Sequence, residues 1–217
     1  MRINQYIDHT LLKPTALIAD IEQLCNEALQ YNFAAVCVPP PLIKIAKKQL
    51  QNSIVKVATV IGFPFGYSAA EAKIAETLLA IVDGADELDM VINLIALKNN
   101  DWQYLANEIN YVMPVIRQNN KLIKIIIESG ILSDEEIIRC CELYGVTGVD
   151  FLKTSTGYAE KGASVHAVKL MRSHLPAQIK IKASGGIKTY QFAKELIETG
   201  ADRLGCSSSV QIVLSQL

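Results

Sequence analysis

Two segments of the chain are built alike: Val149-Asp150-Phe151-Leu152-Lys153-Thr154-Ser155-Thr156-Gly157 and Ile179-Lys180-Ile181-Lys182-Ala183-Ser184-Gly185-Gly186. Each is a strand-like run that ends on a lysine and breaks into a small-residue turn bearing glycine. If the two strands are neighbours in one parallel sheet, two ammonium groups stand side by side at its carboxyl edge. A lysine crowded by a second cation and by apolar surroundings gives up its proton more easily, and a free amine is the nucleophile that condenses with a carbonyl. A strand-end lysine taken singly reads as a solvated or salt-bridged surface group. Two of them on consecutive strands, each followed by a small polar loop, point to nucleophilic chemistry, although the residues leave open which lysine performs it.

Carboxylates supply a second part of that chemistry. In Gly84-Ala85-Asp86-Glu87-Leu88-Asp89-Met90, Glu87 and Asp89 share one face by the two-residue period and Asp86 lies on the other. An inward acid from this pair, near the lysines, can pair with Lys182 and move protons at a reacting carbon, whereas Asp86 is expected to cap or form a salt bridge at the strand start. Asp8, Cys37 and Glu128 complete the reactive side chains at strand ends, with Asp8 as an orienting hydrogen-bond acceptor. Three later loops, Thr156-Gly157, Ser184-Gly185-Gly186 and Gly205-Cys206-Ser207-Ser208, are small and rich in N–H and hydroxyl donors, and Lys188 follows the glycine pair. Such loops let the backbone approach an anion closely. The constellation describes a phosphorylated small substrate, carbonyl chemistry and a lysine nucleophile.

These groups need a frame that gathers strand ends. Strand-like runs fall near Tyr6–His9, Ala34–Val38, Val55–Ile61, Glu87–Ile92, Ile123–Ile127, Gly148–Leu152, Gln178–Lys182 and Arg203–Gly205. Helical stretches lie between and after them, at Leu17–Tyr31, Pro41–Gln51, Ala69–Asp83, Trp102–Asn119, Asp134–Tyr144, Ser164–Leu175, Tyr190–Thr199 and Ser209–Gln216. Ser133 before Asp134-Glu135-Glu136 is a helix-capping arrangement, and Gly84, Gly145 and Gly200 stand where C-terminal caps belong. The run Lys124-Ile125-Ile126-Ile127 reads as apolar on both faces, as in a parallel sheet covered by helices. Eight such units predict an α/β fold, a (β/α)₈ TIM barrel forming a single domain over residues 1–217. An open doubly wound sheet is the alternative, but no G-x-G-x-x-G fingerprint follows the first strand.

Bulk properties narrow the class. The 217 residues are half hydrophobic and a fifth charged, with net charge -1, which gives no basis for binding nucleic acid or an anionic membrane. No leader-like or membrane-length apolar run is present, so a cytoplasmic protein is expected. Five cysteines without C-x-x-C spacing read as reduced, buried hydrophobes, and His9, His166 and His174 lack metal-ligand spacing. His166 and His174 are expected at a helix surface. Neither metal nor cofactor is called for.

The motifs Ile7-Asp8-His9-Thr10-Leu11-Leu12, Ala35-Val36-Cys37-Val38, Gly84-Ala85-Asp86-Glu87-Leu88-Asp89, Phe151 to Gly157, Lys182-Ala183-Ser184-Gly185-Gly186-Ile187 and Gly205-Cys206-Ser207-Ser208 together resemble the deoxyribose-phosphate aldolase family. They span nearly the whole chain in order. The resemblance implies a metal-free class I aldolase acting on 2-deoxy-D-ribose 5-phosphate in deoxyribonucleotide catabolism. It implies that Lys153 forms the Schiff base, that Lys182 lowers its pKa and that Asp89 shuttles protons. Asp8, Thr10 and Cys37 would support or line the substrate site, and Thr156, Gly157, Gly185, Gly186, Lys188, Gly205, Ser207 and Ser208 would bind the sugar phosphate. Some members end in a tyrosine that assists enamine protonation; the sequence here closes on Ser215-Gln216-Leu217, so that role is expected to fall to water or another group, or to be absent. Tyr158 stands where some members carry a basic residue. Another Schiff-base aldolase and a non-catalytic sugar-phosphate binder are the rival readings. A homodimer is compatible with scattered apolar surface residues.

Overall fold

Strands β1 (Ile7–Thr10), β2 (Ala35–Val38), β3 (Lys56–Ile61), β4 (Glu87–Val91), β5 (Leu122–Ile126), β6 (Phe151–Lys153), β7 (Lys180–Ser184) and β8 (Arg203–Cys206) pair in parallel, each with the next, and β8 returns to β1. This is a closed (β/α)₈ TIM barrel, seen in a computed structural model that describes residues 2–215. Gln216 and Leu217, on which the reading of the C-terminal end partly rests, lie outside the described residues. The surrounding helices are α1 (Ile18–Tyr31), α2 (Ile43–Gln49), α3 (Ala70–Val82), α4 (Leu94–Lys98), α5 (Trp102–Gln118), α6 (Asp134–Gly145), α7 (Val165–His174), α8 (Tyr190–Thr199) and α9 (Ser209–Leu214). Among the described residues no helix is long and apolar enough to cross a membrane.

The expected elements are present with shifted ends. β6 begins three residues later than the apolar pattern suggests, where Gly148 takes a positive φ of 76° and the Asp150 side chain accepts the Ile123 N–H, and β7 begins two residues later. The short helix α4 was not anticipated; Asn93 starts it by accepting the Ala96 N–H. Ser133 and Glu136 form the expected reciprocal cap on α6. Gly84 and Gly200 end their helices at positive φ. Gly145 does not: α6 runs through it, packed against Pro176, and the left-handed position falls at Gly148 instead.

Alternation places the core. In β5, Ile123, Ile125 and Ile127 join the apolar layer between barrel and helices, so Lys124 faces the barrel interior. The reading of this run as apolar on both faces is therefore corrected at one residue. Three of the even strands, β4, β6 and β8, share a further device. Asp86, Asp150 and Asp202 stand just before β4, β6 and β8, and each accepts a backbone N–H from the preceding strand: Val57, Ile123 and Ile181, all at 2.9 Å. Asp86 also pairs with Lys47 and Asp150 with Arg117 outside the barrel. These acids tie neighbouring strands at their amino ends and leave the carboxyl ends free for chemistry.

Candidate active site

Register brings the two strand-end lysines together: Lys153 lies opposite Lys182, and Lys182 opposite Arg203, across adjacent parallel strands. Asp89 on β4 is the common partner. Its Oδ2 contacts Lys153 Nζ and Lys182 Nζ, each at 2.7 Å, while its Oδ1 accepts from Lys124 Nζ at 2.8 Å. Lys182 also reaches Asp8 at 2.5 Å and Lys124 reaches Glu87 at 2.6 Å. Arg203 bridges Asp8 and Glu87 from β8. Barrels usually fill this space with branched apolar side chains; here three carboxylates and four cations occupy it.

That count decides the proton inventory. Burying a net charge is costly, so the cluster is balanced best when one cation is neutral. Lys124, Lys182 and Arg203 each touch two carboxylates or more, but Lys153 touches only Asp89, which it shares. Burial and the Lys182 charge push the Lys153 ammonium down, against the pull of Asp89. Lys182 moves the opposite way: burial opposes its charge, but Asp8 and Asp89 override it and hold the proton firmly. Burial would likewise raise Asp89, yet Lys124, Lys153 and Lys182 keep it well below the usual carboxylate range. Asp8 is held low too, with Arg203, Lys182 and Lys124 outweighing its burial.

Above the cluster opens a cavity of about 460 Å³. Among the described residues Lys153 is the one interior charge that lines it; Lys182, Asp89, Lys124 and Asp8 stand behind. Its wall includes Thr10, Thr156, Gly157, Gly185, Gly186, Lys188, Gly205 and Ser207. Ser208 and Cys37 do not reach this wall. Ser208 turns away to begin α9, and Cys37 packs with Ala58 and Val60 under Leu12 and Phe63, where burial pushes its thiol up. Gly186 has φ +76°, and the space its missing Cβ would fill is open, so its backbone faces the hollow. Gly162 and Gly185 pack so closely that a Cβ on Gly162 would lie 2.3 Å from the Gly185 carbonyl oxygen, which clamps the β6 and β7 loops together.

Glu128 supports the same wall. It is buried in a left-handed conformation (φ 56°, ψ 54°) and accepts from both the N–H and the hydroxyl of Thr156. Tyr158 closes the far rim, its hydroxyl donating to the Leu12 carbonyl and its ring set edge-on to Phe63. Lys124 and Arg203 are the interior groups that sequence reasoning missed. A charge inside an apolar strand was the available signal for Lys124, and its register partner Asp89 completes it.

Comparison with known proteins decides the family. The model of the DeoC/LacD family aldolases matches residues 2–209. The chain belongs to that family. This aldolase, a lyase, is 50% identical over 212 residues to the deoxyribose-phosphate aldolase of Caldicellulosiruptor saccharolyticus, covering 97% of this chain and 96% of that one. A putative deoxyribose-phosphate aldolase from Coccidioides immitis superposes with TM-score 0.95 at 38% identity, over 99% of this chain and 85% of that one. The Aeropyrum pernix deoxyribose phosphate aldolase, described as tetrameric, superposes with TM-score 0.89 at 30% identity, over 99% and 90%. Among the described residues no group of acids, histidines and cysteines is arranged to hold a metal ion.

Proposed function

We propose that this aldolase cleaves 2-deoxy-D-ribose 5-phosphate reversibly to acetaldehyde and D-glyceraldehyde 3-phosphate through a Schiff base on Lys153. The single observation that carries the reading is that, among the described residues, Lys153 alone joins the cavity to the interior charge cluster. Neutral Lys153 Nζ adds to C1 of the open-chain sugar, and the carbinolamine loses water to form an iminium. That cation is an electron sink. Removal of the C3 hydroxyl proton lets the C2–C3 pair flow toward it, releasing glyceraldehyde 3-phosphate and leaving an enamine. The bond broken is C2–C3 rather than C3–C4, because C2 is the carbon next to the iminium. Proton return to C2 and hydrolysis free acetaldehyde and Lys153. Asp89, 2.7 Å from Lys153, is the proton donor and acceptor, acting through water.

Thr156, Gly157, Gly185, Gly186, Gly205, Ser207 and Lys188 bind the phosphate, holding the substrate by a group remote from the breaking bond. The chain serves deoxyribonucleotide breakdown in the cytoplasm as a single-domain enzyme. Exposed apolar residues such as Leu79 and Val82 suit a homodimer. Borohydride reduction with deoxyribose 5-phosphate, followed by peptide mass mapping, should place a reduced adduct on the peptide containing Lys153. An adduct on Lys182, or none, would overturn the assignment.

A further inference from the structure

His9 takes no part in the chemistry above, yet it is 4% exposed and bonded at both ring nitrogens. It follows Asp8 on β1, so it faces out of the barrel toward the helices. Its Nε2 lies 2.7 Å from Glu27 Oε2 on α1, and its Nδ1 lies 3.0 Å from Ser209 Oγ at the first residue of α9. Phe33 meets the ring edge-on at 5.2 Å between centroids. Ser209 Oγ is in turn 2.9 Å from the Cys206 carbonyl oxygen. One hydroxyl therefore pins both ends of Ser207-Ser208, the turn that delivers Ser207 to the cavity wall.

A second hollow of about 480 Å³ lies on the outer side of that turn, lined by Ser207, His9, Glu27, Thr10 and Lys13 among others. With a void at its back, the turn depends on the polar line from Glu27 through His9 to Ser209. We infer that His9 and Glu27 are positioning residues for phosphate recognition: they set the Ser207-Ser208 turn from outside the barrel without touching substrate. This rests on the proposed phosphate role of that turn.

Glu27 is partly exposed, so its replacement leaves the core intact. Glu27→Ala should raise KM for deoxyribose 5-phosphate about tenfold, the worth of roughly one lost hydrogen bond to a charged group. It should leave kcat within about twofold, and kcat/KM for phosphate-free 2-deoxyribose should stay unchanged. The inhibition constant of inorganic phosphate should rise in parallel, and Glu27→Gln, which keeps an acceptor, should restore most of the affinity. Equal losses on both sugars, or no change on either, would overturn the inference. A wild-type enzyme indifferent to the substrate phosphate would instead sink the phosphate reading itself, and this inference with it.

Discussion

Lys153 and Lys182 carry the same side chain on adjacent strands, each shortly before a small, glycine-bearing loop, yet their surroundings drive them apart. Lys182 is fully buried between Asp8 and Asp89 and keeps its proton; Lys153 has one shared carboxylate, a neighbouring cation and an open cavity. The proposed nucleophile follows from that asymmetry. Lys153→Arg should lower kcat by roughly 10³ or more, since among the described residues no other interior amine lines the cavity. Lys182→Leu removes a cation that depresses Lys153, so Lys153 should hold its proton to higher pH. The rise of kcat/KM with pH should then move to higher pH than in wild type. An unmoved profile would count against an electrostatic role for Lys182.

At the scale of elements, the repeated Gly-x-Asp before β4, β6 and β8 separates stability from chemistry. Asp86, Asp150 and Asp202 work at the amino ends of strands, and Asp8, Asp89 and Lys153 work toward the carboxyl ends. Asp86→Ala leaves the Val57 N–H without its partner and should cost about 1–3 kcal/mol by denaturant titration, with kcat unaffected. A comparable fall in kcat would show that the two ends of the barrel are coupled. Helices α3 and α5 are joined by a buried pair, Lys73 with Glu108 at 2.6 Å, and Lys73 also donates to the Val91 carbonyl. Lys73→Met strands Glu108 in the core and should destabilise by about 3–5 kcal/mol, whereas adding Glu108→Leu should recover much of that loss. Additive losses in the double variant would show that the pair itself is not what the single change breaks.

For the whole molecule, the charged barrel interior couples folding to pH. Asp8 and Asp89 titrate lower in the folded chain than in the unfolded one, where aspartate sits near 3.9. On acidification the unfolded chain therefore takes up protons first, so the stability these groups contribute is present above about pH 4 and lost below it. Thermal melts should fall steeply between about pH 4 and pH 3 in wild type and less so in a charge-neutral Asp8→Asn variant; matching slopes would refute the coupling. The eight-unit barrel was legible because periodicity and turn residues are local signals, read within a few residues of where they act. Asp89, Lys153 and Lys182 were legible for the same reason, each lying on a recognisable strand. Lys124 hid inside an apolar run, and Arg203 carried no local mark, since its partners Asp8 and Glu87 lie 195 and 116 residues away along the chain; His9 likewise meets Ser209 across 200 residues. The sequence by itself determined the strand and helix pattern, the loop chemistry and the family motifs. Only the closed barrel decided which lysine meets the cavity and which stays behind, because proton affinity depends on which charges the fold brings within a few ångströms.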